Sequence, residues 1–418
     1  MSAKPIVVIT GLGVVSPLGL GWEAFWRALL EGRNAAAPIT HFDATGYSTR
    51  FAAEVRDFDP GEYVGKKEAR RMDRCIQFGV AAARMALEDS GLQVGEANAH
   101  RIGVSIGSGI GGMQTFENQH TILSTSGPGR ISPFFIPMMI PNMPAGQVGI
   151  QFGLKGPNFS TVSACATGAH CLAAGVDMIR MGRADVVLAG GTEAAITPLA
   201  VAGFCSMKAM STRNEDPLRA SRPFDRERDG FVIGEGAGVL VLESLTSALA
   251  RGARIYGEVA GHGSSGDAYH ITQPNPSGDG AARAMLMALA DAEMPLDQVD
   301  YVNAHGTATP VGDPCEVAAL HRVFGEHAHS LVVSSTKSMM GHTLGAAGAL
   351  ESIVCVLATR EGAVPPTINY EYPDPQCDLD FVPNVARSMP VRAALNNSFG
   401  FGGQNAVVAI RRYDPAQG

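Results

Sequence analysis

One stretch of this chain indicates both its local fold and its chemistry: residues 158–172 are NFSTVSACATGAHCL. Residues 159–163 favour a short strand, and after Cys165 apolar residues such as Leu172 and Val176 follow helical spacing. Cys165 is therefore predicted to lie where a strand turns into a helix. Free N–H groups and the positive dipole end at a helix start stabilise a thiolate, so we expect a lowered thiol pKa and a nucleophilic sulfur.

The competing interpretation of Cys165 is a buried structural cysteine, because free cysteine is among the most buried residue types. Cys171, Cys205, Cys355 and Cys377 receive that interpretation. Cys165 is distinguished from them by reactive side chains that stand in characteristic contexts later in the chain.

Composition bounds the class of protein. The 418 residues, 45% hydrophobic and with 50 glycines, predict a compact α/β protein of two or three domains or one duplicated unit. Only 17% are charged, which predicts a large buried fraction and a subunit interface. A net charge of −8 argues against a general nucleic-acid binder. Seven cysteines without a CxxC motif predict a reducing, cytoplasmic location, and neither a secretion signal nor a membrane span is expected.

The pattern along the chain predicts two similar halves. Strands are expected at residues 6–10, 101–106, 159–163, 185–189, 236–243, 254–261, 301–304, 331–335 and 406–411. Helices are expected at residues 22–30, 66–90, 145–151, 166–181, 280–292, 313–324 and 344–360. This alternation favours largely parallel, covered sheets. The boundary near 250–255 gives a first half, 1–252, that carries the nucleophile and a second half, 253–418. Gly11 and Gly13 follow the first strand, but Ser16 replaces the third glycine of a dinucleotide site.

Three basic side chains stand at predicted element ends, where α/β proteins place reactive groups: His305, Lys337 and His342. A single histidine is more often a surface or hydrogen-bonded core residue, but two histidines at element ends with a lysine between them favour a catalytic role. The run 396–405, NNSFGFGGQN, predicts a glycine loop that can aim a backbone N–H at an oxyanion. Alone, it would be interpreted as an ordinary turn.

Together these motifs resemble the β-ketoacyl-acyl-carrier-protein synthases of the thiolase-like superfamily, most closely the type II elongating class. The matching blocks, in family order, are ACATG at 164–168, SRPFD at 221–225, RDGFV at 228–232, NAHGT at 303–307, Lys337-Ser338 with Gly341-His342, and NSFGFGG at 397–403. The likeness runs from about residue 5 to residue 411. It implies a five-layered αβαβα fold of two similar halves, a homodimer, and acyl carrier protein as partner.

The resemblance implies that Cys165 takes the acyl group and that an enolate from malonyl-carrier protein then attacks it, with loss of CO2. His305 and His342 would hold the malonyl thioester oxygen, and the N–H groups of Cys165 and Phe401 the tetrahedral oxyanion. Lys337 would be a supporting charge. Its expected partner is Glu351, and Asp313 and Glu316 are further candidates. No cofactor or catalytic metal is expected, although the resemblance includes a structural monovalent cation near Asn303, Glu351 and Ser398.

Substrate contacts also follow from the resemblance. The acyl pocket would be lined by Ile110, Phe204 and Phe399, with Phe401 as a gate over the nucleophile. Thr272 and Thr307 would hydrogen-bond the pantetheine arm. The basic segment 66–74 is ordinarily a solvated helix face, but the resemblance makes it a dock for an acidic carrier protein. The residues expected in this dock are Lys67, Arg70, Arg71, Arg130 and Lys208.

Alternatives remain at this point. A ketosynthase of a type II polyketide or specialised lipid pathway would share the chemistry and differ in substrate. A non-catalytic chain-length subunit would lack the nucleophile, which argues against it here. A thiolase would be expected to carry a second cysteine near the glycine loop, and that stretch has none. An initiating synthase would be expected to pair one histidine with an asparagine, whereas this chain has two histidines.

Overall fold

A ten-stranded sheet runs through the molecule, a computed structural model that describes residues 4–415. The strands are β1 Val7–Ser16, β2 Gly19–Leu20, β3 Ala37–Pro38, β4 Phe51–Ala52, β5 Ile102–Gly107, β6 Val186–Glu193, β7 Gly236–Ser244, β8 Gly257–Gly266, β9 Val299–Asn303, β10 Val332–Ser334, β11 Ala363–Val364, β12 Arg387–Ser388, β13 Ala393–Gly400 and β14 Gln404–Arg411. The main sheet has the order β10-β9-β13-β14-β8-β1-β7-β6-β5, with β2 beside β1. The pairs β3–β4 and β11–β12 stand apart.

The sheet repeats one topology in each half of the chain. In the order β1-β7-β6-β5, the first strand of the half lies beside its last strand, and β8-β14-β13-β9 repeats this arrangement. Strands β1 and β8 join the two halves through two antiparallel residue pairs. Along this path only β5–β6, β9–β10 and β9–β13 are parallel, and the other five neighbouring pairs are antiparallel. The expectation of largely parallel sheets is therefore wrong, since β1, β7, β8 and β14 pair antiparallel.

The helices form three layers around these strands. They are α1 Trp22–Leu30, α2 Gly61–Val64, α3 Lys66–Ala69, α4 Arg74–Ser90, α5 Met113–Ser126, α6 Phe135–Met139, α7 Met143–Phe152, α8 Thr167–Arg180, α9 Pro198–Ser206, α10 Leu245–Ala250, α11 Asp279–Asp291, α12 Gly312–Phe324, α13 Lys337–Met340 and α14 Ala347–Glu361. Helices α4 and α7 cover the outer face of the first half, and α11, with α12 packed against it, covers that of the second. Helices α8 and α14 contact strands of both halves and form the central layer, which completes the αβαβα arrangement.

The central layer explains the low charge content. Every residue from Ala347 to Thr359 is buried, so α14 has no solvated face and no need for charged side chains. The two central helices also meet backbone to backbone. A Cβ at Gly168 would lie 2.7 Å from the nitrogen of Ala349, and a Cβ at Gly348 would lie 2.6 Å from the nitrogen of Ala169. Glycine is required at both contacts.

Two local predictions are wrong. The helix expected over 66–90 is two helices, because the chain turns at 70–73 and Asp73 caps the start of α4 by accepting the N–H of Cys75. Residues 159–163 form no strand, and only Asn158 makes a single bridge, to Val104 of β5. Strand β13 and helix α5 were not predicted. Among residues 4–415, no helix combines the length and apolarity that crossing a bilayer needs.

Candidate active site

Cys165 lies in a sharp turn that leads directly into α8. The turn, Ala164–Ala166, is one of two matching turns in the molecule. Leu344–Ala346 precedes α14 in the same way, and both begin with a residue at φ +49°, Ala164 and Leu344. A positive φ is unfavourable for these side chains and persists only where the surroundings enforce it. In the second turn Gly345 replaces the cysteine, so only the first half presents a thiol.

Burial outweighs the helix-start effect at the thiol. Cys165 is 6% exposed, and burial raises its pKa to about 12. The charge of Lys337 and the backbone N–H groups of Phe401 and of Cys165 itself lower the pKa only in part. The expected lowered pKa is therefore wrong, because the desolvation penalty of the buried thiolate exceeds the stabilisation that Lys337 and the two N–H groups provide.

The glycine loop positions a backbone N–H donor against the Cys165 sulfur. Strands β13 and β14 form a hairpin in which Gly400 pairs with Gln404, leaving Phe401 at the tip beside Gly402 and Gly403. The two glycines have φ of +82° and +69°. This turn brings the N–H of Phe401 to the Cys165 sulfur, where it acts together with the N–H of Cys165.

The two histidines lie together as neutral rings. Their ring centroids are 5.3 Å apart and the rings are nearly perpendicular, at 86°. Burial, followed by the charge of Lys337, lowers the pKa of both His305 and His342 well below the usual value. The backbone N–H of Leu344 donates to Nδ1 of His342 at 3.4 Å, which places the proton of His342 on Nε2. A neutral ring of this tautomer is a hydrogen-bond donor at Nε2.

The structure pairs Lys337 with Glu351. Both side chains are buried, at 1% and 0% exposure, and Lys337 Nζ contacts Glu351 Oε1 directly. Burial raises the pKa of Glu351 to about 7, against the opposing effect of Lys337. The lysine charge reaches Cys165 and both histidines electrostatically. Lys337 is therefore placed to act as a charge behind the site.

Glu316 and Asp313 have partners other than Lys337. Glu316 accepts the backbone N–H of His305 at 2.9 Å and that of Gly306 at 2.8 Å, so it holds the segment that carries the histidine. Asp313 accepts the N–H of Phe224 at 2.8 Å and lies 3.9 Å from Arg228. Neither carboxylate hydrogen-bonds Lys337. Burial raises the pKa of Glu316, and the charge of Lys337 is among the effects that lower it, so the supporting role of both carboxylates stays a prediction.

One cavity of about 610 Å³ joins these groups. Cys165, His305 and His342 lie in its wall, and Phe231 packs edge-on against His342 at 5.4 Å. The cavity is also lined by the residues predicted to contact substrate: Ile110, Phe204, Thr272, Thr307, Phe399 and Phe401. Lys337 and Glu351 stand behind the wall, while Asp313 and Glu316 line it.

Sequence reasoning missed Glu193, the last residue of β6. This buried carboxylate accepts hydrogen bonds from Ser108 Oγ at 2.6 Å and from the N–H groups of Gly109 and Ile110 at 2.9 and 3.3 Å. It also accepts the N–H of Gly345 at 3.0 Å. Glu193 thus ties the loop that presents Ile110 to the turn before α14. A carboxylate at the end of an otherwise apolar strand was the available signal.

The five residues predicted to dock the carrier protein are exposed, whereas Arg74, in the same basic segment, is directed inward. Lys67, Arg70, Arg71 and Arg130 are all exposed, and Lys208 is exposed at the cavity wall. The guanidinium of Arg71 lies 4.9 Å above the ring of Phe134. Arg74 instead turns inward and pairs with Glu235 at 2.9 Å. The basic segment is therefore not one solvated helix face.

Buried oxygens behind the site lack partners. The buried side-chain oxygens without a hydrogen-bond partner include Asn303 Oδ1, Glu351 Oε2, Ser398 Oγ and Asn396 Oδ1. Oxygen atoms of this kind are the ligands that hard cations prefer. The donor set therefore fits the structural cation that the resemblance implied.

Comparison with known proteins finds relatives that cover nearly the whole chain. Residues 4–248 match the family profile of the beta-ketoacyl synthase N-terminal domain, and residues 256–371 that of the C-terminal domain. A 3-oxoacyl-[acyl-carrier-protein] synthase 2 from Coxiella burnetii is 54% identical over 409 residues, which cover 98% of this chain and 99% of the relative. The protein of the same name from Synechocystis is 52% identical over 410 residues, covering 98% and 99%.

Two solved structures are similar in fold as well. The ishigamide ketosynthase/chain length factor superposes with a TM-score of 0.92 at 39% identity, covering 99% of this chain and all of the other. A type II PKS acyl-carrier protein in complex with its ketosynthase bound to the hexaketide gives a TM-score of 0.91 at 35% identity, covering 98% and 100%.

Proposed function

This chain belongs to the beta-ketoacyl synthase family, and we propose that it acts as an elongating 3-oxoacyl-[acyl-carrier-protein] synthase of fatty-acid synthesis. One observation carries the proposal. In a single cavity, the Cys165 sulfur faces the N–H of Phe401 while two neutral imidazoles, His305 and His342, stand beside it. This is a nucleophile with two separate sets of hydrogen-bond donors.

The first step transfers the acyl group to Cys165. The sulfur attacks the thioester carbon of acyl-carrier protein, the carbon–sulfur bond to the pantetheine breaks, and the thiol proton ends on the departing pantetheine sulfur. Because the Cys165 thiol is protonated at neutral pH, its deprotonation is part of this step. The charge of Lys337 and the N–H of Phe401 favour the thiolate as it forms.

The second step uses the two histidines. Malonyl-carrier protein loses CO2, and the electron pair of the broken carbon–carbon bond becomes an enolate whose oxygen accepts N–H bonds from His305 and His342. Neutral rings suit this role, since each gives one N–H to charge that is absent in the ground state. The enolate carbon then attacks the acyl-Cys165 carbonyl. The N–H groups of Cys165 and Phe401 hold the resulting oxyanion until the carbon–sulfur bond breaks.

Carrier-protein binding is assigned to the exposed basic residues. Lys67, Arg70, Arg71 and Arg130 would contact the acidic partner, while Lys208, at the cavity wall, would lie where the pantetheine arm enters. Thr272 and Thr307 line the same cavity and would hydrogen-bond that arm. The complex of a similar ketosynthase with its acyl-carrier protein supports this partner.

A homodimer forms part of the proposal. The segment from Asn158 onward lies beside the edge strand β5 and exposes Phe159 and Val162 at 45% and 49%; Ile150, in α7, is 70% exposed. An unpaired edge with exposed apolar side chains is a surface suited to pairing with a second copy. Sedimentation of the purified chain measures the assembly directly.

The halves, the compartment and the cation complete the proposal. We assign residues 1–252 to the half with the nucleophile and 253–418 to the half with both histidines; the outer bounds, residues 1 and 418, lie outside the described part of the chain. The inner boundary falls between α10 and β8.

Seven free cysteines support a reducing, cytoplasmic location. A monovalent cation bound by Asn303, Glu351 and Ser398 would satisfy their buried oxygens.

The test is reconstitution with defined substrates. Acyl- and malonyl-carrier protein should give 3-oxoacyl-carrier protein and CO2, with an acyl adduct on Cys165 in intact-mass spectra. C165A should form neither, whereas C171A should form both, because Cys171 is buried against Thr161 outside the cavity wall. Absence of an adduct, or an adduct that persists in C165A, would refute the assignment.

A polyketide or specialised lipid ketosynthase is the second candidate, because the similar solved structures include a type II PKS ketosynthase. The same reconstitution with acyl groups of several lengths and with 3-oxoacyl primers separates the two. Repeated condensation without reduction of the 3-oxo group would favour the second candidate.

A further inference from the structure

A cluster of two imidazoles and one carboxylate lies on the surface of the second half, away from the cavity. His321, His329 and Asp378 each place one ligand atom within 4.8 Å of the other two. Nε2 of His321 is 2.6 Å from Oδ1 of Asp378, and the two imidazole rings are 5.1 Å apart. None of the three residues lines the active-site cavity.

The fold holds the three residues in place from separate segments. His321 is in the last turn of α12, and the following turn, Gly325–Ser330, brings His329 back toward it. Asp378 comes from the loop before β12. That loop runs alongside β10, because the N–H of Val333 donates to the carbonyl of Asp380 at 2.9 Å.

The loop is fixed on both sides of the carboxylate. Cys377 and Leu379, which flank Asp378, are 2% and 8% exposed and belong to the core of the second half. Burial of both neighbours leaves Asp378 itself exposed and directed away from that core. The carboxylate is therefore positioned by the backbone rather than by the ion pair alone.

We propose that His321, His329 and Asp378 form a binding site for a transition-metal dication of the Zn²⁺ class. Imidazole and carboxylate ligands in a 2:1 ratio suit zinc and its neighbours, whereas Mg²⁺ and Ca²⁺ prefer oxygen ligands alone. Ligands bonded to one tetrahedral zinc at about 2.1 Å lie about 3.4 Å apart. This spacing is longer than the 2.6 Å contact of His321 with Asp378 and shorter than the 4.8 Å within which all three ligand atoms lie. The fourth position is open to water.

The consequence of binding is a cross-link between α12 and the 373–380 loop. The first turns of α12 carry Asp313 and Glu316 at the cavity wall, so the metal secures the far end of a helix that supports the site. A ligand that binds only the folded state raises its stability. Zinc should therefore raise the Tm of the protein.

The decisive variant is H329N. It removes one ligand but leaves the His321–Asp378 ion pair intact. If the cluster were only an ion pair, H329N would not change zinc binding. H100N is the matched control, because His100 is an exposed histidine on the opposite half of the chain. The protein is full length, without a histidine tag, and stripped of metal with a chelator.

Calorimetric titration with Zn²⁺ should give one site per chain in wild type and H100N, and at least about tenfold weaker binding at that site in H329N. The Tm rise with Zn²⁺ should shrink in parallel. Co²⁺ should give a visible d–d spectrum without a thiolate charge-transfer band, since no cysteine is a ligand. Equal affinity and Tm shift in H329N and wild type would overturn the proposal, as would a thiolate band that vanishes in C165A.

Discussion

The carboxylate of Glu193 accepts the backbone N–H of Gly345 at 3.0 Å, and this bond joins the end of β6 in the first half to the turn before α14 in the second. No side chain fits at the glycine, since a Cβ there would lie 2.4 Å from the nitrogen of Gly109. The same carboxylate holds the loop that presents Ile110 to the cavity. The loop that carries Ile110 and the turn before α14 are therefore connected through one residue.

E193Q should destabilise the protein and loosen the loop that presents Ile110 to the cavity. The amide keeps the size of the side chain but offers one oxygen in place of two, and its NH2 group faces donors rather than acceptors. Leaving buried N–H groups unpaired costs about 1–3 kcal/mol. Urea denaturation measures the loss, and acylation by a series of primers should show reduced discrimination. Stability equal to wild type would show that these hydrogen bonds contribute little.

Alkylation of Cys165 should follow a high thiol pKa. Because burial raises that pKa to about 12, the iodoacetamide rate should rise about tenfold per pH unit from pH 6 to 9 without a plateau. Mass spectrometry of the Cys165 peptide separates this rate from that of half-buried Cys205. K337M should slow the reaction further, since the lysine charge favours the thiolate. A plateau below pH 8 would contradict the pKa shift.

H305A and H342A should impair decarboxylation more than acyl transfer. In the proposed mechanism each ring donates to charge that develops only when CO2 leaves, and loss of one such donor costs about a hundredfold or more in rate. Release of labelled CO2 and the Cys165 adduct are measured on the same samples, with H100A as the surface control. Wild-type CO2 release in both variants would remove the histidines from this step.

I110W should restrict acylation to short primers. Ile110 lines the cavity next to Phe204 and does not belong to the catalytic set, so an indole there would fill acyl space without changing the nucleophile. I110V is the matched control and should accept the full range. Intact-mass spectra with primers of increasing length give the result, and equal acylation of I110W by all of them would place Ile110 outside the acyl path.

Charge reversal at Lys67, Arg70 and Arg71 should weaken the use of carrier-protein substrates but spare small acyl thioesters. The three side chains are exposed on a chain of net charge −8, so they supply local attraction for an acidic partner. The loss should appear in kcat/KM and diminish at high salt. Reversal of Lys155, Arg183 and Arg412, exposed cations outside this segment, controls for net charge. Equal effects of the two sets would refute a local dock.

Much of the candidate site could be predicted from sequence because its parts are local motifs. The turn around Cys165, the histidines at element ends and the glycine run each carry their signal within ten residues. The cavity collects Cys165, His305 and His342 with Ile110, Phe204 and both threonines, as the resemblance implied. Helix α1 was predicted to the residue, since its apolar face has clear periodicity.

The errors concern features that depend on surroundings. Within each half the first strand pairs antiparallel with the last, β1 with β7 and β8 with β14, and alternation of strands and helices does not encode this pairing. Segment 159–163 has strand-forming residues, but in the described chain it finds no ladder beyond the bridge at Asn158. Helix 66–90 breaks where Asp73 finds donors in Cys75 and Thr115.

The sequence by itself determined the family and singled out the candidate nucleophile and its candidate donors, since residue type and local order suffice for these. Only the tertiary structure decided the protonation of Cys165 and the partners of the carboxylates. The pKa of a thiol depends on how much water the whole fold removes from it, and Glu193 meets Gly345 only because two distant turns pack together. Burial and long-range contact are properties of the assembled layers, and no short stretch of sequence contains them.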